Sequence, residues 1–478
     1  MSQPADTGDC FAPLDPAIVG NAPARAAAPG AALPDAARCA VARGAFRVPA
    51  VRDLCWLMAS PALLSQAMFG EQLASPADTG CFGPDAPAAL QRLLARLEAD
   101  PAPLRDALAA TPERRLGRYA ERLLAVWLAQ MPGVDVVALG LPVRDAGRTL
   151  GECDALFRTA QGDREHWEMA VKFYLRIDAG LPDADDAVSP SGPASPASAD
   201  GAAGLFAGCD AYVGAGLADR LDWKLRRLVE HQMPLSERAE LIALGGGPWR
   251  ARMLVKGRLF HPLAQWRAPL PGVAPGDDIG GGIGDGSGVG NGICGGVGSD
   301  LSSGGGSGIS SGGSGISGGS GGMDAAPALA PDHLRGWWAT YDDWCAASAR
   351  STLRWTPLAR LEWLAPLQSD AARAQSASDF ARWLAEHFAD AADGAGRRNG
   401  QEAGREAGQG ASPKASPKAS PEATLEAARG AGQPIQVAAL GPGAGVEAFS
   451  ESSRGFIVPN DWPERARRFR QTGRRYHQ

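Results

Sequence analysis

Residues 166–175 (HWEMAVKFYL) alternate between apolar and mixed positions, and a period of two predicts a strand. Trp167, Met169, Val171, Phe173 and Leu175 then share one face, with Glu168, Ala170, Lys172 and Tyr174 on the other. Residues 149–157 (TLGECDALF) follow the same rule, placing Cys153, Ala155 and Phe157 opposite Glu152, Asp154 and Leu156. The polar break at 159–165, where Gly162 precedes Asp163, predicts a hairpin joining the two strands. Upstream the apolar period lengthens to that of a helix, with Leu116, Ala120, Leu123, Leu124, Trp127 and Leu128 on one side and Glu121 at its margin. This helix is expected to open at Thr111-Pro112-Glu113, a cap, a first-turn proline and a dipole-compatible acid, and to run to Gln130. The apolar run 134–143 predicts a strand suited to the middle of a sheet, with 144–148 as the turn into the hairpin.

Elsewhere, residues 51–69 predict two short helices broken at Ser60-Pro61, and 86–97 and 104–110 add amphipathic helices to an N-terminal layer. Residues 217–232 predict a helix with the stripe Leu217, Leu221, Leu225 and Leu228 beside a basic face of Lys224, Arg227 and His231. Residues 253–260 predict a strand, 332–346 a helix, 353–364 a strand pair or one bent strand, and 380–388 a short helix. At the end, 455–462 predicts a docked strand and turn, and the arginine-rich tail 464–478 a solvated basic end.

Composition divides the chain further. A low-complexity segment (1–48) precedes the helical layer (49–110), and a core (111–270) carries a disordered insert at 179–211. A Gly/Ser-rich linker (271–325) and a low-complexity linker (391–435) flank a further part of the fold (326–390), and 436–478 closes the chain. The linker glycines lack the preceding strand and following helix of a phosphate-binding loop. The net charge of −6 gives no global case for nucleic acid, so such binding requires a local patch. Eight scattered cysteines without a C-x-x-C pair exclude an ordinary structural zinc site and predict a reducing cytoplasm. No window has the length of a membrane span, because Gln130, Pro132 and Asp135 interrupt the most apolar one.

The blocks VRDLCWLMASPAL (51–63), LGRYAERLLAVWL (116–128), GRTLGECDALFR (147–158), HWEMAVKFYL (166–175) and RGFIVPNDWP (454–463) resemble an uncharacterised bacterial family, the domain of unknown function numbered 1853. That resemblance implies no activity. The central unit separately resembles the PD-(D/E)XK nuclease-like superfamily, in which a helix Glu, a strand Asp and an acidic-x-Lys strand surround a divalent metal. It implies an α/β (α+β) fold, a central mixed sheet flanked by helices with a restriction-endonuclease-like core and long disordered inserts. On this resemblance Glu121 is the helix carboxylate, Asp154 the metal-bridging aspartate and Lys172 the strand lysine. The pattern departs at Ala170, where an acid is expected. Glu168 lies two residues further back, on the same face but about 6.6 Å along the strand.

The chemistry follows from the residue types. Magnesium, or manganese in its place, takes oxygen ligands, and Asp154 with Glu168, assisted by Glu121 or Glu152, offers them. Lys172 suits a reacting phosphate, and Lys224, Arg227 and His231 suit backbone phosphates. The bland alternatives are a same-face Glu168–Lys172 ion pair and a Glu121–Arg118 helix pair. Two functions remain open: a magnesium-dependent nuclease, or a catalytically degenerate module of the same fold that binds nucleic acid or a protein partner. The oligomeric state is left open.

Overall fold

The structure, a computed structural model, describes residues 46–110, 112–145, 147–177, 204–245, 247–266, 326–398, 432–443 and 448–473. The low-complexity stretches at 1–48, 179–211, 271–325 and 391–435 fall largely outside the described residues.

The fold is of the α/β class, a mixed ten-stranded sheet flanked by helices. Helices α1 (Pro49–Ala59), α2 (Ala86–Ala99), α3 (Ala102–Ala109) and α4 (Leu116–Gln130) lead into strands β1 (Asp135–Asp145), β2 (Arg148–Arg158) and β3 (Arg164–Arg176). After β4 (Tyr212–Gly214) and helix α5 (Leu221–Arg227) come β5 (Arg250–Pro262), β6 (Leu334–Thr340), α6 (Tyr341–Ser348), β7 (Arg354–Pro357) and β8 (Gln368–Asp370). Helix α7 (Ala377–Arg398), β9 (Ile435–Pro442), β10 (Ala448–Val458) and α8 (Trp462–Gly473) complete the chain. The strand order is β1-β2-β3-β5-β6-β10-β9-β7, with β4 on β3 and β8 on β10. Its middle, β3-β5-β6-β10, is parallel, and the flanking pairs are antiparallel.

The apolar face of β3 anchors the main core. Trp167 meets Trp127 of α4 at 5.9 Å between ring centroids and Phe157 of β2 at 5.3 Å, and Phe82 packs edge-on against Trp127 at 4.8 Å. These contacts fix α4 across the β2–β3 hairpin and so decide where Glu121 stands. All six residues of the expected apolar side of α4 are buried.

Several elements differ from the sequence expectation: the helix expected over 217–232 starts only at Leu221, and of the strand expected over 353–364 only Arg354–Pro357 forms, followed by a helical turn at Arg360–Trp363. Helix α4 begins at Leu116 rather than near 112; Thr111 lies outside the described residues. Residues 112–115 offer nothing apolar to bury, and packing rather than propensity holds most protein helices. Strand β1 is an edge strand, buried only at Gly140 and Val143 and interrupted by a bulge between Val136 and Ala138. Residues 334–340 form a central strand where a helix was expected: Trp338 packs into the main core and Trp337 into the core around Trp344 and Trp355, the two-faced pattern of a buried strand. The basic C-terminal segment is helical to Gly473, and Arg470 pairs with Asp210 at 3.0 Å.

Candidate functional site

Strand pairing between β2 and β3 covers only 155–158 against 164–167. Beyond Trp167 the two strands part, and the next backbone amide of β3 facing β2, that of Met169, donates instead to Asp154 Oδ2 at 2.8 Å. Asp154 therefore sits in the fork of two diverging strands, where a side chain replaces the ladder. Four carboxylates gather there. Glu168 is fully buried, Glu121 comes from α4, and Glu152 stands two residues before Asp154. Burial first, then the charges of Glu168 and Glu121, hold the Asp154 carboxyl well above its usual range. Burial also raises Glu168 and Glu121. Arg118 clamps two of the acids, donating to Glu121 Oε2 at 2.8 Å and to both oxygens of Glu152 at 2.6 and 2.8 Å. The expected Glu121–Arg118 helix pair thus exists, and it reaches across to β2.

Three further residues surround Glu168. His166 Nε2 hydrogen-bonds Glu168 Oε1 at 2.8 Å, and Gln232 Nε2 donates to Glu168 Oε2 at 2.7 Å. Gln232 is brought in by a π-helical turn, Leu228–Gln232, that follows α5. Cys153, expected beside Ala155 and Phe157, instead packs with Leu156 and Leu235. Its sulfur and the ligand atoms of His166 and Glu168 all lie within 4.8 Å of one another. Burial pushes His166 down to about 4, leaving it neutral, and pushes the Cys153 thiol up. Among the described residues, His166 Nδ1 is buried without a hydrogen-bond partner.

Lys172 is not drawn into this cluster. Its half-buried ammonium is depressed to about 8 by burial and by Lys224 and Arg360, and the carboxylate acting on it is that of Asp219. It lines a cavity of about 450 Å³ together with Arg114, Arg115, Gly117, Asp219, Arg360 and Trp363. The cavity adjoins the carboxylates at Gly117, whose position for a Cβ is 4.0 Å from Glu121 Oε1. Lys224 is half-buried and acts on both Glu168 and Lys172, tying the two halves together. Arg227 is exposed, and exposed His231 uses Nε2 on the backbone carbonyl of Leu150 at 3.0 Å.

The structure thus brings together Glu121, Glu152, Asp154 and Glu168, places Lys224 beside them, and sets Lys172 in the adjoining cavity. The parts that sequence reasoning missed are Arg118 as a clamp on Glu152, His166 and Gln232 on Glu168, and the cavity arginines. Only His166 left a signal, its His-x-Glu spacing on one strand face.

Among the described residues, no helix is long and apolar enough to cross a membrane. The family model for a domain of unknown function (DUF1853) matches residues 52–281 and 320–458. No curated protein and no solved structure matches the chain.

Proposed function

We propose, for a chain that belongs to the DUF1853 family, that the fork at Asp154 is a divalent-metal site serving phosphodiester hydrolysis on DNA or RNA. The observation that carries this reading is the packing of Glu168, Glu121 and Glu152 around the part-buried Asp154, with Arg118 as the cation hydrogen-bonded to the group. Buried like charges are expensive unless protonated or neutralised by a cation. By residue type the carboxylates suit magnesium or manganese, which favour carboxylate oxygens and keep several waters, although among the described residues the ligand atoms already within 4.8 Å of one another are those of Cys153, His166 and Glu168. Asp154, Glu168 and Glu121 would hold the ion, with Glu152 assisting.

When bound, such an ion supplies Lewis acidity toward a phosphate and lowers the pKa of an attacking water. The chain's own groups do the rest. Gln232 and His166 orient Glu168, Arg118 orients Glu121 and Glu152, and the Met169 amide fixes Asp154. Lys224 and Lys172 offer positive charge to a phosphate lying between the carboxylates and the cavity.

Calorimetric titration of the full chain with Mg²⁺ or Mn²⁺ tests the site, and Zn²⁺ belongs in the series because Cys153 and His166 adjoin it. Affinity is expected to rise from pH 6.5 to 8, since the ion must displace protons held by Asp154 and Glu168, and to vanish in Asp154→Ala. Cleavage of single- and double-stranded DNA and RNA completes the test. No binding at pH 8 and no cleavage would end the enzyme reading.

One observation favours a second reading, a degenerate module that binds nucleic acid or a protein partner without cutting. Both oxygens of Glu168 are already engaged, by His166 and Gln232, and Ala170 stands where the superfamily pattern has an acid. Salt-sensitive nucleic-acid binding unaffected by metal and without products would select it.

A further inference from the structure

The cavity beside the carboxylates has a distinct shape and charge. On the side of β3 facing β2 and β4, no strand among the described residues pairs between the Asp154 contact at Met169 and the start of the β4 ladder at Tyr174. The interval leaves a stretch of β3 about 16 Å long between the two ladders. By the period of two, the amides of Val171 and Phe173 turn to the same side as that of Met169 along this stretch. Val171 and Phe173 line the cavity together with Lys172.

The charges around it do not balance. Lys172, Arg114, Arg115 and Arg360 line the cavity, and among the described residues Asp219 is the carboxylate that lines it. Asp219 Oδ2 accepts the Tyr174 hydroxyl at 2.7 Å and forms no ion pair with the lysine. Arg360 stands over Trp363, its Cζ 4.4 Å from the ring centroid, which holds the guanidinium at the cavity without a carboxylate partner among the described residues. Four cations, of which Arg114, Arg115 and Arg360 are exposed and Lys172 is half-buried, together with the amides of Val171 and Phe173, describe a receptor for an anion of more than one charge.

We infer that this cavity is a phosphomonoester site that receives the terminal phosphate of a nucleic-acid strand. An internal phosphodiester carries one negative charge and would leave most of these cations unmatched. A terminal phosphate carries about −1.5 to −2 near neutral pH and matches the excess of positive charge better. The wall shared with Glu121 at Gly117 would set the phosphorylated end next to the carboxylate cluster, making strand ends rather than duplex interiors the substrate. This deepens the proposed function and rests on it for the substrate, but the phosphate site itself can be tested without cleavage.

The test is fluorescence anisotropy on the full chain in EDTA, with labelled single-stranded oligonucleotides bearing a 5′-phosphate, a 3′-phosphate or hydroxyls at both ends. One phosphorylated form is expected to bind about tenfold tighter than the hydroxyl form, as one charge-assisted contact set allows, and inorganic phosphate should compete away that preference. Arg360→Gln and Arg114→Gln should each reduce the preference severalfold, whereas Arg144→Gln, outside the lining, should not. The preference should persist in Asp154→Asn, so a failed metal titration leaves this result standing and a failed preference leaves the metal result standing. Equal affinity for phosphorylated and hydroxyl ends, or a preference that Arg360→Gln and Arg114→Gln leave intact, would overturn the assignment.

Discussion

Asp154→Asn is expected to reduce cleavage by about a thousandfold, as loss of a central electrostatic group does, while making the metal-free protein more stable at pH 8. The two signs have one cause. Asp154 and Glu168 have carboxyls raised above their unfolded values, chiefly by burial. Such groups contribute stability that is complete at acid pH and is lost as pH rises through the folded pKa. Other groups bound the useful window. His166, depressed to about 4, adds stability as pH rises only up to its unfolded value of 6.5, and Asp53, raised to about 6, has finished ionising by about pH 7. Lys172, depressed to about 8, begins to restore stability above that value. Between about pH 7 and 8 the wild-type melting temperature should therefore fall, with a slope of up to about 1.4 kcal/mol per pH unit for each proton released. Asparagine keeps an oxygen for the Met169 amide but carries no charge, so the variant's curve should be flatter and should cross above the wild type. Saturating Mg²⁺ should lift the wild type at pH 8 and leave the variant unmoved. A wild type whose stability does not fall across this window would remove the charge-crowding premise.

The same residues show how far the pattern of the chain could be read. The alternation in β3 and the apolar side of α4 are local signals repeated over many positions, and the elements and the Trp127–Trp167 contact follow from burying them. Asp154 and Glu168 come together because a hairpin makes neighbours of residues close in number. The β2–β3 pairing does not extend past Trp167, however, because β2 leaves β3 there. Cys153 consequently packs with Leu156, and Lys172, though in register with Glu168 along β3, answers to Asp219 and Arg360. Where two strands part is set by what packs into the fork, here Glu121 and Arg118 from α4, and no local spacing records it. Gln232 arrives through a π-turn, and Arg360 lies 188 residues beyond Lys172 (360 minus 172), so both depend on tertiary placement. The strand at 334–340 was obscured for another reason. Its tryptophans, Gly336 and the following acidic helix start read together as one amphipathic stretch, whereas Trp337 and Trp338 enter opposite cores.

Gly257→Ala is expected to lower stability by about 3–5 kcal/mol and the melting temperature by roughly 10 °C, the largest structural effect of a single methyl group near the site. Gly257 lies in β5 directly across the parallel ladder from Lys172, with φ at +155°. A Cβ built there would stand 1.9 Å from the Lys172 carbonyl oxygen and 2.8 Å from its carbon. Both are backbone atoms at the centre of the sheet, so no side-chain rotation relieves the clash and the β3–β5 ladder must part. Gly162 supplies the comparison. It also has positive φ, +86° in the hairpin turn, but a Cβ there meets nothing within 4 Å, so Gly162→Ala should lose only about 1 kcal/mol from backbone strain. Thermal denaturation of the two variants separates close approach from positive φ. If Gly257→Ala melted with Gly162→Ala, the Lys172–Gly257 register could not be correct, and the cavity that this stretch of β3 lines would have to be drawn differently.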